Sequence, residues 1–463
     1  MKGITLPAAV MVFFVACAPQ RESPSNRERS VAKPDAYNLV LISLDTLRAD
    51  HLGCYGYHRD TSPNIDRFAR DSIVFENAYS TAPKTPESHM SMFTSLYPSV
   101  HRVFTIVDES KINVLDGSAA TFTEILKEQG YRTVGIHGGG FMDGKFGFDR
   151  GFDIYRMGGP VSVQKWMMEN AWKNKFFLFY HTYHVHDPYT PRPPYDTMFD
   201  SDYDGNIVHD RNELSKLSAS GWYADFSKTF WKLADKKDPR DVQHLVALYD
   251  GEIREMDAEL GLLLETIDRY APDTIVILLS DHGEEFGEHN GGFLHSQMYE
   301  ETLHVPLIIR HPDYPGGSRI ADRVSLIDLA PTILDMLSIS GVEEFPGGTT
   351  LVDKEQGRIE KTVFSEYPLQ EKYSLINRGN KIIVSERGVE LYSLKDDPGE
   401  LIDLAAESHQ NPRNASGLAA LRAELSEIIE GNETRSAVVN KEHKKDLLAQ
   451  KTIQELKALG YIK

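Results

Sequence analysis

The sequence predicts an α/β fold in which helices sandwich a large, mostly parallel β-sheet, followed by a smaller C-terminal subdomain with an antiparallel sheet and a helix. The first observation is a pair of nearly continuous apolar runs at residues 38–45 and 274–282, a pattern typical of buried parallel strands. The runs end in the polar residues Asp45 and Asp281-His282. The second observation is the helical spacing of residues 120–129 and 243–270, because strands that alternate with helices favour a parallel sheet covered on both faces.

Three shorter apolar segments, at residues 133–137, 176–181 and 305–310, supply further strands of this sheet. Ligands of open α/β sheets bind beyond the carboxyl ends of the strands. Four polar residues fall at those ends, and we expect their side chains to meet at one edge of the sheet: Asp45, His181, Asp281 and His282.

The sequence changes character near residue 346. We predict a main domain over residues 37–345 and a C-terminal subdomain over residues 346–463. Four short segments separated by turns predict the antiparallel sheet, at residues 361–366, 373–377, 381–386 and 388–394. A charged helix is predicted at residues 415–430, and a terminal helix at residues 442–459.

The N-terminus has the pattern of an export signal. Met1-Lys2 precedes an apolar run over residues 4–16 that is too short to span a bilayer, and Phe14-Val15-Ala16-Cys17 resembles a bacterial lipobox. We therefore expect residues 1–17 to be a lipoprotein signal peptide and residues 18–36 a flexible tether. The protein would be exported to the periplasm or cell envelope and anchored through Cys17. Ordinary cleaved secretion and an uncleaved anchor are the alternatives.

Net charge limits the partners of this chain. The 463 residues carry a formal net charge of −19, which disfavours attraction to nucleic acid or to an anionic membrane surface. We expect no nucleic-acid partner, and membrane contact only through the N-terminal lipid anchor.

Thr85 is the central candidate for chemistry. Residues 88–94 have helical spacing, so the Thr85 hydroxyl should lie at a helix N-terminus, where free amides and the helix dipole favour an anion. A threonine hydroxyl is a poor nucleophile until a metal ion binds it and stabilises the alkoxide. One divalent metal ion could bind here, because two carboxylates and an imidazole are available from Asp45, Asp281 and His282. This set of ligands suits zinc or manganese, with calcium and magnesium as alternatives.

The run of residues 82–98 resembles the sulfatase signature Cys-x-Pro-Ser-Arg followed by a helix and Thr-Gly-x-Tyr-Pro, with Thr85 in place of the cysteine. Other segments are similar to motifs of the same family in the family's order: residues 44–53, 280–289, 299–309, 326–334 and 390–400. On these motifs, residues 38–463 are identified as a member of the sulfatase branch of the alkaline-phosphatase superfamily. The resemblance implies a metal-dependent hydrolase of a small-molecule, glycan or lipid ester of sulfate or phosphate, with residues 37–345 as its catalytic domain.

The resemblance also implies three further site residues. His186, in the run of residues 184–189, matches the family's pocket histidine before a proline, and His295 takes the place of a lysine or histidine that meets the leaving group. Either one is a candidate general acid. His89 replaces the signature arginine, which orients the formylglycine in the family.

Three departures from the family bear on the chemistry. Threonine carries a methyl group on its carbinol carbon, so Thr85 cannot become the formylglycine aldehyde. Thr46 stands where arylsulfatases have a second aspartate, and residues 134–140 lack the lysine of the family's Gly-Lys-Trp-His segment. The residues that remain are one acid (Asp45), one threonine (Thr85) and the Asp281-His282 pair. This set resembles the single-metal site of lipoteichoic-acid synthases and phosphoethanolamine transferases, enzymes that form a phospho-threonine intermediate.

Two classes of ester remain open at this stage. A phosphoryl-threonine can be cleared by attack at phosphorus, which favours a phosphorus ester, whereas the overall resemblance favours a sulfate ester. A transferase with a phospho-threonine intermediate and a pseudoenzyme that binds an anionic glycan or lipid headgroup are the alternatives to hydrolysis. Residues 195–240, with Trp222 and Trp231, predict an insertion near the pocket mouth whose tryptophans stack on a sugar.

Overall fold

A computed structural model describes most of the chain beyond its N-terminal segment. The described residues are 37–105, 111–171, 173–218, 223–289, 292–314, 316–340, 345, 347–351, 361–406, 411–440 and 445–447. Contacts divide the chain into Met1–Asp35 and Ala36–Lys463, and every described residue belongs to the second unit. The predicted signal peptide, Cys17 anchor and tether lie outside the described residues and stay predictions, as does the boundary at residue 346.

The strands of the described residues are β1 (Asn38–Leu44), β2 (Ile73–Tyr79), β3 (Lys111–Asn113), β4 (Arg132–His137), β5 (Ile154–Met157), β6 (Phe176–Thr182), β7 (Thr274–Leu279), β8 (Glu285–Phe286), β9 (Phe293–Leu294), β10 (His304–Arg310), β11 (Ser318–Ser325), β12 (Val363–Tyr367), β13 (Lys372–Asn377), β14 (Asn380–Ser385), β15 (Gly388–Ser393) and β16 (Lys445–Leu447). The α-helices are α1 (Pro63–Arg70), α2 (Thr85–Thr94), α3 (Pro98–His101), α4 (Phe122–Glu128), α5 (Pro160–Asn170), α6 (Arg211–Leu217), α7 (Tyr223–Leu233), α8 (Pro239–Tyr270), α9 (Glu300–Leu303), α10 (Leu329–Met336) and α11 (Pro412–Val439). None of these helices is both long and apolar enough to cross a membrane.

The predicted large sheet is confirmed. It has eight strands in the order β11-β2-β10-β7-β1-β6-β4-β5. Neighbouring strands pair in parallel except around β10, which runs antiparallel to both β2 and β7. The apolar run at residues 305–310 predicts the presence of β10 but not its direction, because hydrophobic pattern carries no information about strand direction.

Helices cover both faces of this sheet. Alternate residues of β1 belong to two separate apolar clusters, with Leu39 and Leu41 in one and Val40 and Ile42 in the other. Helix α2 contributes to the first cluster, and the 32-residue helix α8 contributes to the second. The sheet is therefore buried on both sides, which explains why its central strands read as continuous apolar runs.

The central strands end level with one another. In the parallel ladder, Ser43 of β1 pairs with His181 of β6 on one side and with Leu279 of β7 on the other. Residues that directly follow β1 and β7 therefore meet the end of β6 at one edge of the sheet. This register brings the predicted site residues together.

The C-terminal part contains the predicted antiparallel sheet, with strands in the order β12-β13-β14-β15. Helix α11 packs Leu421 and Leu425 against its apolar face and is longer at both ends than predicted. The predicted helix over residues 442–459 is wrong at Lys445–Leu447, which form a strand paired with Lys111–Asn113. The other residues of that predicted helix lie outside the described residues.

A buried lysine joins this small sheet to the main domain. The Lys381 side chain on β14 is fully buried, and its Nζ lies 2.9 Å from a carboxylate oxygen of Glu300 and 2.9 Å from one of Glu400. Glu300 begins α9, which leads directly into β10 of the large sheet. The lysine therefore forms ion pairs with two carboxylates at the junction of the two sheets, those of half-buried Glu300 and buried Glu400.

We expect Lys381→Met to destabilise the protein by about 3–5 kcal/mol, because removing one partner of a buried ion pair leaves the opposite charges uncompensated. Urea unfolding followed by circular dichroism measures this change. Lys395→Met is the matched control, since Lys395 is exposed on the loop after β15. Equal unfolding midpoints for the two variants would contradict the role assigned to Lys381.

Candidate active site

The four predicted metal and nucleophile residues meet at the carboxyl edge of the large sheet. Asp45 directly follows β1, and Asp281 and His282 follow β7. Each of these three residues offers one ligand atom, and the three atoms all lie within 4.8 Å of one another. Thr85 approaches from the first turn of α2, with its Oγ1 3.2 Å from Asp45 Oδ2 and 3.4 Å from His282 Nε2. All four side chains are buried.

The start of α2 presents Thr85 as predicted. Thr85 is the first residue of the helix and Pro86 occupies the first turn, where its missing N–H causes no loss. Lys84, at the N-cap position, makes no side-chain cap hydrogen bond. The hydroxyl therefore lies beside amides that the cap residue leaves for an anion.

The donor set fits a divalent metal ion. Asp45 Oδ1 and Asp281 Oδ2 are buried carboxylate oxygens without a hydrogen-bond partner among the described residues. They lie 4.0 Å and 3.5 Å from His282 Nε2. Since His282 Nδ1 is 2.9 Å from the Gly283 carbonyl and donates to it, Nε2 carries the lone pair. Three electron-rich atoms thus converge, as the ligands of a metal do.

Electrostatics support the same interpretation. Burial raises the pKa of Asp45, but its hydrogen bond to His181 and the nearby histidines hold that pKa well below its usual range. Burial and the charge of Asp45 raise the pKa of Asp281 well above its usual range. Burial lowers the pKa of His282 to about 4. Without an added cation, the site therefore holds one carboxylate ionised, the other protonated and the imidazole neutral.

The sequence predicts His181 at this edge without assigning it a role, and the structure places it there. Its Nε2 lies 3.0 Å from Asp45 Oδ2, the same oxygen that accepts from Thr85. The imidazole therefore orients the carboxylate that faces the nucleophile, as partners of metal ligands do.

His89 lies one turn after Thr85 on α2. Its Nδ1 is 2.8 Å from the Thr85 carbonyl oxygen and donates to it, while Nε2 accepts from Ser43 Oγ at 2.8 Å. Burial lowers the pKa of His89 to about 3, so the ring is neutral. We interpret His89 as a positioning residue for the first turn of α2.

His186 and His295 are neighbours, and His295 lies against His282. Their ring centroids are 5.3 Å apart, and the His295 ring is 4.4 Å from that of His282. Burial lowers the pKa of His295 well below its ordinary value, and its Nδ1 lies 3.2 Å from Glu284 Oε1. Burial also opposes the charge of His186, but the hydrogen bond and charge of Asp187 raise its pKa to about 10. Of the two candidate acids, His186 is therefore the one that holds a proton at neutral pH.

A cavity of about 580 Å³ opens beside His186. Its wall includes Tyr183, His184, Thr190, Arg211 and Glu252. A cavity of this size accommodates a small-molecule leaving group next to the candidate acid.

The insertion over residues 195–240 contributes to the site in a way that differs from the expected sugar stacking. The indole N–H of Trp231 donates to Asp187 Oδ2 at 2.9 Å. Trp222 lies outside the described residues. Sequence reasoning missed Asp187, Glu284 and Ser227, and it assigned Trp231 to sugar stacking. Asp187 and Glu284 lie in or beside recognised motifs, whereas nothing in the sequence signals Ser227.

This arrangement of strands, helix N-terminus and buried candidate ligands is that of an ester-hydrolase site of the alkaline-phosphatase type. The family model described as Sulfatase matches residues 37–160 and 161–339, and the chain belongs to the sulfatase family. A second model, described as N-sulphoglucosamine sulphohydrolase, C-terminal, matches residues 287–430. The protein is therefore a sulfatase-type ester hydrolase.

Individual relatives are distant but span most of the chain. Arylsulfatase K of Bos taurus is 25% identical over 471 residues, covering 87% of this chain and 85% of the relative. N-acetylglucosamine-6-O-sulfatase of Bacteroides thetaiotaomicron is 22% identical, with 86% of each chain covered. The solved phosphonate monoester hydrolase of Silicibacter pomeroyi superposes with a TM-score of 0.68 at 19% identity, covering 87% of this chain and 96% of that chain. The fold is thus shared with enzymes named for sulfate and for phosphonate esters.

Proposed function

We propose that this protein is a metal-dependent hydrolase of a phosphate or phosphonate ester, with Thr85 as the nucleophile. The observation that carries the proposal is the position of the Thr85 hydroxyl, within 3.4 Å of both Asp45 and His282 and beside two unpartnered carboxylate oxygens. A hydroxyl with no role in the chemistry would not need such a set of ligands around it.

Four residues would hold the metal ion: Asp45, Thr85, Asp281 and His282. When bound, the ion supplies a Lewis acid that lowers the pKa of the threonine hydroxyl and polarises the ester. Two carboxylates, an imidazole and a hydroxyl suit zinc or manganese, with calcium and magnesium as the harder alternatives.

The protein side chains carry the proton and bonding steps. Thr85 Oγ1 attacks phosphorus as its proton moves along the hydrogen bond to Asp45 Oδ2, and the bond between phosphorus and the ester oxygen breaks. The departing oxygen takes a proton from His186, and the alcohol leaves. Water then attacks phosphorus in phospho-Thr85 and gives one proton to His186, while Oγ1 departs and takes its proton back from Asp45 Oδ2. Phosphate or phosphonate is released, and Thr85 is restored.

The same reasoning disfavours sulfate as the substrate. A sulfatase aldehyde hydrate expels sulfate by breaking a carbon–oxygen bond, and the methyl-bearing carbon of Thr85 cannot do this. A glycan sulfate is the second candidate, and its support is the similarity of the chain to arylsulfatase K and N-acetylglucosamine-6-O-sulfatase.

Rapid acid quenching with matched esters tests the proposal. Metal-reconstituted protein is mixed with 4-nitrophenyl sulfate, a phosphate monoester, a phosphodiester and a phosphonate monoester, and Thr85 is examined by mass spectrometry. We expect turnover of a phosphorus ester and one phosphoryl or phosphonyl group on Thr85. Turnover of only the sulfate would make the phosphorus proposal wrong, and turnover without modification of Thr85 would make its nucleophilic role wrong.

A further inference from the structure

A carboxylate connects His186 to helix α7. Asp187 Oδ1 lies 3.1 Å from His186 Nδ1. Its other oxygen, Oδ2, accepts hydrogen bonds from Ser227 Oγ at 2.5 Å and from Trp231 Nε1 at 2.9 Å. Ser227 and Trp231 are four residues apart on α7, so both donors come from one face of that helix. The carboxylate is thus fixed on one side by α7 and presents its other side to the imidazole.

Trp231 also packs toward the second histidine of the site. Its ring centroid is 5.8 Å from that of Phe293, and Phe293 lies two residues before His295. The ammonium group of Lys236 makes a cation–π contact with the Trp231 ring, 4.4 Å from its centroid. One half-buried side chain therefore contacts the segments that carry both His186 and His295.

The charge of His186 depends on this arrangement. Burial opposes its cationic form, whereas Asp187, Asp45 and Glu284 favour it. His282 and His295 also face it, and burial lowers the pKa of each. Burial raises the pKa of Asp187. The charge of His186 and the hydrogen bonds from His186, Ser227 and Trp231 lower it further than burial raises it, so the pKa lies below its usual range. The pair is therefore an ionised carboxylate and an imidazolium at neutral pH.

The need for such a proton donor depends on the leaving group. A phenolate or nitrophenolate is stable enough to leave without a proton, whereas an alkoxide is strongly basic and requires one in the transition state. An imidazolium held beside a cavity is therefore an adaptation to poor leaving groups.

We infer that Ser227, Trp231 and Asp187 position His186 as the proton donor to an aliphatic alcohol leaving group. This inference rests on the proposed hydrolysis of a phosphorus ester. The substrate class is an ester of such an alcohol rather than of a phenol. As the bond between phosphorus and oxygen breaks, its electron pair goes to the ester oxygen, which takes the proton from His186 Nε2. His186 regains a proton from the water that later cleaves phospho-Thr85.

The test compares two leaving groups on one phosphoryl group. The ethyl and 4-nitrophenyl esters of phosphate, or of the phosphonate that wild type prefers, are assayed with wild type, Asp187→Asn and the double variant Ser227→Ala/Trp231→Phe. Lys228→Ala, an exposed change on α7, is the matched control. We expect kcat/KM for the ethyl ester to fall about 10²-fold or more in both variants, while the 4-nitrophenyl ester changes by less than about threefold.

A pH profile adds a readout that loss of packing would not produce. Asp187→Asn removes the charge that raises the pKa of His186, so the alkaline limb of the ethyl-ester profile should move from about pH 10 to lower pH. Equal losses on both esters would make the role structural and the inference wrong, and no loss on either would also overturn it. A wild type inactive on both esters would instead overturn the proposed function, and the inference with it.

Discussion

Replacing Thr85 with alanine should slow hydrolysis of the preferred ester on the order of 10⁴-fold or more, with substrate binding retained. Removal of a covalent nucleophile eliminates the whole two-step route, and only binding and electrostatic stabilisation remain. The small change in volume leaves α2 intact, because the helix begins with a proline in its first turn and continues over buried residues. Steady-state kinetics with metal-reconstituted protein measures the loss.

Thr85→Ser is the matched control for this experiment. Serine keeps the hydroxyl near Asp45 and loses only the methyl group, so we expect it to retain turnover within about 10²-fold of wild type and to form the same covalent adduct. An alanine variant as active as the serine variant would mean that water attacks the ester directly. In that case Thr85 would serve only as a metal ligand.

The second large effect concerns the metal. Asp281→Asn should lower turnover about 10³-fold. A bound metal acting as a Lewis acid stabilises the transition state by several kcal/mol, and each loss of about 1.36 kcal/mol slows the reaction tenfold. Asp281→Asn should also abolish stabilisation by added metal, which for wild type reaches about 4 kcal/mol when the free ion is at 1,000 times its Kd. In metal-free protein the same change removes a carboxyl crowded against Asp45, so the variant should be at least as stable as wild type.

Thermal unfolding with and without zinc, manganese, calcium or magnesium separates these effects. Asp60→Asn, at an exposed position, is the matched control and should respond to metal as wild type does. A wild-type melting temperature indifferent to all four ions would contradict the metal site. So would an Asp281→Asn variant that still shows the full shift.

Much of this site is predictable because its main residues lie at the ends of strongly patterned segments. The apolar runs before Asp45 and Asp281 locate two central strands, and parallel strands place their carboxyl ends at one edge. Thr85 is recognisable from its position at the start of a helical pattern and from its place in the sulfatase signature. The structure confirms that these residues are brought together.

The supporting residues could not be predicted in the same way. Asp187 meets Ser227 and Trp231 across 40 and 44 residues. Such hydrogen bonds depend on tertiary packing, and neither partner has a local pattern that reveals the other. The reversed direction of β10 has the same origin, because strand order and direction are set by connections and packing rather than by composition.

The register of β1 between β6 and β7 has a consequence for how this chemistry could arise. The spacing of Asp45, His181 and Asp281 is set by backbone hydrogen bonds between adjacent strands, not by the nucleophile on α2. A single codon change at position 85 therefore exchanges one reactive group for another while the anchoring frame stays in place. Divergence between sulfur and phosphorus esters can thus begin in the first turn of one helix, without rebuilding the scaffold.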